Sequence, residues 1–198
     1  MRIGIDIDGV LADFVTRFVC EANDIDPNVP RDYVPDGWDM PAIDREVFNK
    51  AWSKVLSTNG FWSSLFPFHK NVEDLVLFLI SNPQVEVYYC TSRTPSDGPS
   101  LLEQCTAWLN HFNLIRRNTS IVCVGTGRSK WMVYEATECR MSLDDYHKNV
   151  RSIIKATASG FEHTPYLLDR PWNRNETDLD HCRVNSMQEF LDKVRREL

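Results

Sequence analysis

Arg2-Ile3-Gly4-Ile5-Asp6-Ile7-Asp8-Gly9 is the stretch on which the fold turns. Ile3, Ile5 and Ile7 alternate with Gly4 and Asp6, and the run stops at Gly9. That pattern predicts a short β-branched strand over Arg2 to Asp8, ending in a tight turn. Two carboxylates, Asp6 and Asp8, stand at its carboxyl end. One apolar face over Val10 to Glu21 predicts a helix directly after it.

Further along, the same design repeats. Helical spacing is read over Ile43 to Leu56, Val72 to Ile80, Pro99 to Phe112 and Lys130 to Ala136. Asn71 and Ser129 are candidate N-caps, and a Ser186-x-x-Glu189 capping box opens a final helix. Strands are expected at Val85 to Cys90, Ser120 to Val124, Cys139 to Leu143 and Tyr166 to Leu168. Strands alternating with helices predict an α/β fold with a parallel sheet covered on both faces. Residues 15–69 interrupt that alternation. The stretch is rich in proline (Pro27, Pro30, Pro35, Pro41) and aromatics, and it reads as an inserted, mainly helical cap. The expected division is a core of residues 1–14 and 70–198 with a cap of residues 15–69.

Composition bounds the function. At 198 residues, 42% hydrophobic and 25% charged, the chain can bury one substantial core without staples. Its net charge of −6 weighs against long nucleic acid or an anionic membrane as partner. The first residues are charged, and no apolar run approaches the roughly 20 residues that span a bilayer, so a cytoplasmic protein is expected. The six cysteines form no CxxC pair and are expected as free thiols.

In an open parallel sheet, ligands bind beyond the carboxyl ends of the strands. The polar residues there are Asp6, Asp8 and Gly9 after the first strand, and Thr91, Ser92 and Arg93 after the second. Gly125, Thr126, Gly127 and Lys130 follow the third, and Asp144 and Asp145 the fourth. Four converging carboxylates repel and call for a cation. Oxygen ligands of this kind suit Mg²⁺. Thr91, Ser92, Arg93 and Lys130 supply donors and positive charge for a phosphate. With no Cys or His at these strand ends, Asp6 is the natural nucleophile, and Asp8 is placed to protonate a leaving alkoxide and deprotonate water.

Asp6-Ile7-Asp8-Gly9-Val10-Leu11-Ala12-Asp13-Phe14 resembles the first motif of the haloacid dehalogenase superfamily, and more closely that of its 5'(3')-deoxyribonucleotidase branch. Thr91-Ser92, Lys130 and Leu143-Asp144-Asp145 are similar to the second, third and fourth motifs. Gly60-Phe61-Trp62-Ser63-Ser64-Leu65-Phe66-Pro67 resembles the family's junction between cap and core. The resemblance implies a three-layer Rossmann-like fold with a small helical cap after the first strand. It also implies an Mg²⁺-dependent phosphomonoesterase acting on nucleoside monophosphates through an aspartyl-phosphate on Asp6.

By the same resemblance, Asp8 is the acid/base and offers its backbone carbonyl to the metal. Asp145 is a metal ligand and Asp144 supports it. Thr91, Ser92 and Lys130 hold the phosphate, with Arg93 as a further phosphate or sugar contact. Phe14, Trp38, Trp52 and Phe61 line a base pocket. Three places depart from the pattern: Arg93 stands where relatives often carry Pro, Tyr146 where they carry Arg, and Gln104 or Cys105 near where the family places a basic residue on the helix after the second motif.

Trp38, Trp52, Phe61 and Trp62 suit either stacking on a base or the cap's own core. His147 reads as a surface histidine on a turn. Arg170-Pro171-Trp172-Asn173-Arg174 reads either as a loop anchoring the last helix or as a segment folding back to the site. The partner expected is a small nucleoside monophosphate, bound by a monomer or homodimer. Two other functions fit the same residues: a phosphatase for a sugar phosphate or nucleic-acid end, or a nucleotide-binding protein without turnover.

Overall fold

A computed structural model describes residues 1–125 and 129–198 of the chain. Thr126 and Gly127, expected in the loop after the third strand, lie outside them. Six strands form one sheet in the order β3-β2-β1-β4-β5-β6, with every neighbour parallel. They are β1 (Arg2–Ile5), β2 (Glu86–Thr91), β3 (Thr119–Cys123), β4 (Met141–Asp144), β5 (Thr164–Leu168) and β6 (Arg183–Val184). The order reverses between β1 and β4, and a doubly wound sheet opens its ligand crevice at that point. Ile5 sits level with Tyr89 on one side and Leu143 on the other. The Asp6 amide still donates to the Leu143 carbonyl at 2.9 Å. The carboxylates that follow β1 and β4 therefore leave the sheet side by side.

Helices cover both faces. Val87 and Tyr89 point to the side packed by α3 (Val72–Ser81), α4 (Leu101–His111) and α7 (Met187–Glu197). Cys90 points the other way, into a smaller cluster with Tyr134 of α5 (Trp131–Ala136) and Ile153 of α6 (His147–Thr157). Strand alternation alone assigns these opposite faces. None of the described helices is long and apolar enough to cross a membrane. All six cysteines are free.

Between β1 and α3 the chain runs through α1 (Phe14–Ile25), α2 (Arg45–Ser57) and a 3-10 turn at Phe61–Ser64. Phe18 of α1 packs against Phe48 and Trp52 of α2, with ring centroids 5.0 and 5.3 Å apart. Lys54 bridges Glu21 and Asp24 across the same seam. The two crossings of the chain into and out of this segment are tied together. Asp13 N–H donates to the Phe66 carbonyl and Phe68 N–H to the Leu11 carbonyl.

The first helix starts later than its apolar pattern predicts. Leu11 and Ala12 both donate to the Ile7 carbonyl, which closes a tight turn over Val10 to Ala12. Asp13 then caps the helix by accepting from Thr16 N–H. One α-helix and one strand are absent from the sequence reading: α6 and the two-residue β6. The helix read over Pro99 to Phe112 begins at Leu101 instead, capped by Ser100 and Glu103 in a reciprocal box. Lys130, not Ser129, occupies the N-cap position of α5.

Candidate active site

Three strand ends and the start of α5 deliver the site. Asp6 is buried just beyond β1, and its Oδ1 accepts from Ile7 N–H at 2.7 Å. Lys130 Nζ lies 2.6 Å from Asp6 Oδ2 and 2.8 Å from Asp144 Oδ2. Asp144 is further held by Tyr146 N–H and the Asn149 side-chain amide. It is thus fully occupied in fixing Lys130 and the entry to α6. Burial would lower the Lys130 ammonium, but the Asp144 and Asp6 carboxylates outweigh it and hold it above the ordinary lysine value.

Asp8 lines the same cavity as Asp6 but is paired with a different cation. Arg93 Nε and Nη2 donate to its two oxygens at 2.8 Å each, and Thr91 Oγ1 lies 3.2 Å from Oδ2. Arg93 is itself buried, lies 5.0 Å over the Trp62 ring and donates from Nη1 to Cys105 Sγ. The expected phosphate contact at Arg93 is corrected: its side chain is fully buried, with two nitrogens committed to Asp8 and the third to Cys105. Thr91 stands behind Asp8, fully buried, and does not line the cavity.

Asp145 is gripped from three directions. Trp172 Nε1 donates to Oδ2 at 2.8 Å, and Asn173 Nδ2 donates to the backbone carbonyl at 2.8 Å. Gly9 lies beneath, at φ +72°, where a side-chain carbon would meet Oδ2 at 1.9 Å. Gly9 is in turn held by Arg170, whose Nε donates to its carbonyl at 2.7 Å and whose guanidinium covers the Phe68 ring at 3.9 Å. Of the two readings of the Arg170-to-Arg174 segment, the fold-back to the site is the one found.

Asp6, Asp144 and Asp145 bring carboxylate oxygens within 4.8 Å of one another. Asp145 Oδ1 is buried with no hydrogen-bond partner among the described residues. Burial, reinforced by Asp144, pushes the Asp145 carboxyl up to about 8 against the pull of the Trp172 hydrogen bond. Burial likewise raises Asp6 well above the carboxylate range, with Lys130 opposing it. Counting Asp8, four carboxylates face three cations among the described residues: Lys130, Arg93 and, beside Asp145, Arg170. An oxygen-lined, net-negative pocket with an unpartnered buried oxygen suits a divalent cation. The Asp8 carboxylate is not in this cluster, because Arg93 holds it aside.

A cavity of about 460 Å³ opens over Asp6, Asp8 and Lys130, within the range of small-ligand pockets. Asp6, Asp8, Ser92 and Lys130 form its polar end, and Phe14, Trp38, Trp52 and Trp62 form an aromatic wall. A second space of about 260 Å³ continues past Phe14, Trp38 and Trp52. Phe61 is a correction. It is fully buried, edge-on to Phe14 at 6.4 Å and under Arg17, and it does not reach the cavity. Its neighbour Trp62 does, seated by Gln104, whose Oε1 accepts from Trp62 N–H.

Sequence reasoning missed the α6 contribution. Lys148, Asn149 and Ser152 line the cavity, and Tyr146 packs against Trp38 at a tilt, with ring centroids 4.9 Å apart. The available signal was Val150, Ile153 and Ile154, apolar at helical spacing directly after the paired aspartates. His147 also differs from expectation. It opens α6 half-buried and faces Glu176 at 3.5 Å.

The family model described as "5' nucleotidase, deoxy (Pyrimidine), cytosolic type C protein" matches residues 1–197. Among solved structures, the chain is similar to a Thermotoga maritima protein assigned as a beta-phosphoglucomutase. The TM-score is 0.59 at 14% identity, over 100% of this chain and 99% of that one. It is also similar to a hydrolase from Streptococcus pneumoniae, with a TM-score of 0.47 at 14% identity, over 89% of this chain and 97% of that one. At such identity the first likeness speaks for the fold alone. No curated protein matches the sequence significantly.

Proposed function

The chain belongs to the family of 5' nucleotidase, deoxy (pyrimidine), cytosolic type C proteins and is a phosphatase of the haloacid dehalogenase fold, and from that premise we propose that it hydrolyses nucleoside monophosphates, deoxyribonucleotides foremost, with Mg²⁺ as cofactor and Asp6 as nucleophile. Asp6 attacks phosphorus, the ester bond to the nucleoside oxygen breaks, and a protonated Asp8 gives its proton to that oxygen. Asp8, now a carboxylate, takes a proton from water as the water attacks the aspartyl-phosphate, which returns Asp6 and releases phosphate. Arg93 and Thr91 orient Asp8 for both halves. Lys130 and Ser92 hold the phosphoryl oxygens, and Lys130 also opposes the rise that burial imposes on Asp6.

Asp6 and Asp145 would hold the cation, with Asp144 fixing Lys130 beside them. The bound cation supplies charge that offsets the crowded carboxylates and the phosphate. Residues 15–69 act as a cap over the strand ends, and Phe14, Trp38, Trp52 and Trp62 give the base a stacking wall. The protein works in the cytoplasm, where its substrates are.

The observation that carries this reading is Lys130 lying between Asp6 and Asp144 at the floor of an aromatic-walled cavity. Phosphate release from deoxynucleotides, ribonucleotides, 3'-nucleotides and sugar phosphates, with Mg²⁺ and with EDTA, tests it. Metal-dependent release favouring deoxynucleotides, abolished in Asp6→Asn, is expected. Undiminished turnover by a folded Asp6→Asn variant would overturn it.

A further inference from the structure

Trp172 is distant in sequence from every motif residue, yet its indole N–H ends on a buried carboxylate. The bond to Asp145 Oδ2 is 2.8 Å, and Trp172 is only 5% exposed. Its neighbours serve the same target. Asn173 ties the Asp145 carbonyl to the Leu168 carbonyl through one amide, and Arg170 fixes the Gly9 carbonyl. Trp172 fills one acceptor direction of Oδ2, and Gly9 packs close against the same oxygen. Oδ1 is the oxygen left over, buried and unpartnered among the described residues.

We propose that Trp172 is a positioning residue for the cation site: its N–H locks the Asp145 carboxylate in one rotamer and presents Oδ1 to a divalent cation. The inference rests on the reading of Asp145 as a cation ligand. Hydrogen bonds to the non-coordinating atom of a ligand fix its orientation, and their loss costs about 10- to 100-fold in metal affinity or activity. Without the donor, nothing but the packing of Gly9 fixes which oxygen of the carboxylate is presented, and Oδ2 competes with Oδ1 for the cation. The packing role of Trp172 is separate. Its ring meets Trp38 and Phe68 edge-on, with centroids 6.2 and 6.4 Å away, and those contacts do not need the N–H.

Two variants separate the donor from the ring. Trp172→Phe removes both the N–H and part of the ring. Replacing Trp172 by 3-benzothienylalanine removes the N–H alone and keeps the bicyclic shape, which guards against a simple folding failure. Mg²⁺ is titrated by calorimetry into the metal-free full chain, with the metal-free melting temperature as the measure of packing. The expected result is Mg²⁺ binding weakened about tenfold in the benzothienyl variant at an unchanged metal-free melting temperature. The turnover it loses at low Mg²⁺ should return as Mg²⁺ is raised, which a packing defect would not allow. Wild-type Mg²⁺ affinity in that variant, with binding lost in Asp145→Asn, overturns the role of Trp172 and leaves the cation site standing. Unchanged binding in Asp145→Asn overturns the cation site itself, and the inference with it.

Discussion

Gly9 and Asp145 lie so close that a single added methyl group could not fit between them. A Cβ on Gly9 would stand 1.9 Å from Asp145 Oδ2, at a backbone φ of +72°. Gly9→Ala therefore meets two costs. The left-handed backbone costs roughly 1–2 kcal/mol in a residue with a Cβ, and the clash forces the Asp145 carboxylate from its place. The expected outcome is a melting temperature lower by about 2–8 °C for a chain of this size, together with weaker activation by Mg²⁺. Thermal unfolding and an activity titration in Mg²⁺ check both. An alanine variant with wild-type metal dependence would show that Asp145 does not need its present position.

Lys130 is the only described cation touching Asp6. Its charge opposes the rise that burial imposes on that carboxyl. In Lys130→Met the carboxyl climbs further, so less of it is ionised at neutral pH and the nucleophile is silenced. Loss of this preorganised charge is expected to cut turnover by about 10²–10³-fold. Residual activity should rise with pH more steeply than in the wild type, because alkali restores the Asp6 carboxylate. A pH–rate profile decides, and a variant with a parallel profile would remove Lys130 from the control of Asp6.

The aromatic wall should matter only to substrates that bear a base. Trp52 lines both cavities and packs at a tilt against Phe14, with centroids 5.5 Å apart. Stacking on one aromatic is worth about 1–3 kcal/mol per base. Trp52→Ala or Trp38→Ala should thus raise KM for nucleotides by about tenfold or more, with little change for a sugar phosphate. Steady-state kinetics on both substrate types provide the comparison. Equal losses on both would make these tryptophans packing residues alone.

The reach of the sequence here follows from how local each feature is. Asp6, Lys130, Asp144 and Asp145 were legible because each directly follows an apolar strand or opens a helix, and strand ends in a parallel sheet converge by topology. The bidentate Arg93–Asp8 pair was not, since it depends on how the loop after β2 turns back toward β1. Phe61 and Trp62 are adjacent, and both have the right chemistry. Which one faces the cavity is set by the 3-10 turn and by Gln104, a partner 42 positions away. The α6 helix escaped because its apolar stripe is short and its remaining face is polar. Trp172 carries no motif, and its role depends on a contact across 27 positions.

His163 ties acid stability to the strand that carries the paired aspartates. Its ring is stacked between Tyr134 and Phe161, with centroids 5.2 Å from each. Nδ1 lies 2.7 Å from the Cys139 carbonyl, and Nε2 lies 2.8 Å from Ser142 Oγ in β4. A carbonyl only accepts, so Nδ1 carries the proton and neutral Nε2 accepts from the serine hydroxyl. Burial lowers this imidazole to about 4, against 6.5 as its ordinary value. Between those two pH values the unfolded chain binds the proton and the folded chain does not. Stability from this group is therefore complete above pH 6.5 and is lost as the pH falls toward 4. The full span corresponds to ~3 kcal/mol, of which ~2 kcal/mol is lost between pH 7 and pH 5. Urea unfolding of wild type and His163→Gln at pH 7, 6 and 5 measures it. The variant should start less stable at pH 7 and lose less on acidification, so the two stability curves converge. Curves that fall in parallel would mean that His163 is protonated in the folded protein as readily as in the unfolded one.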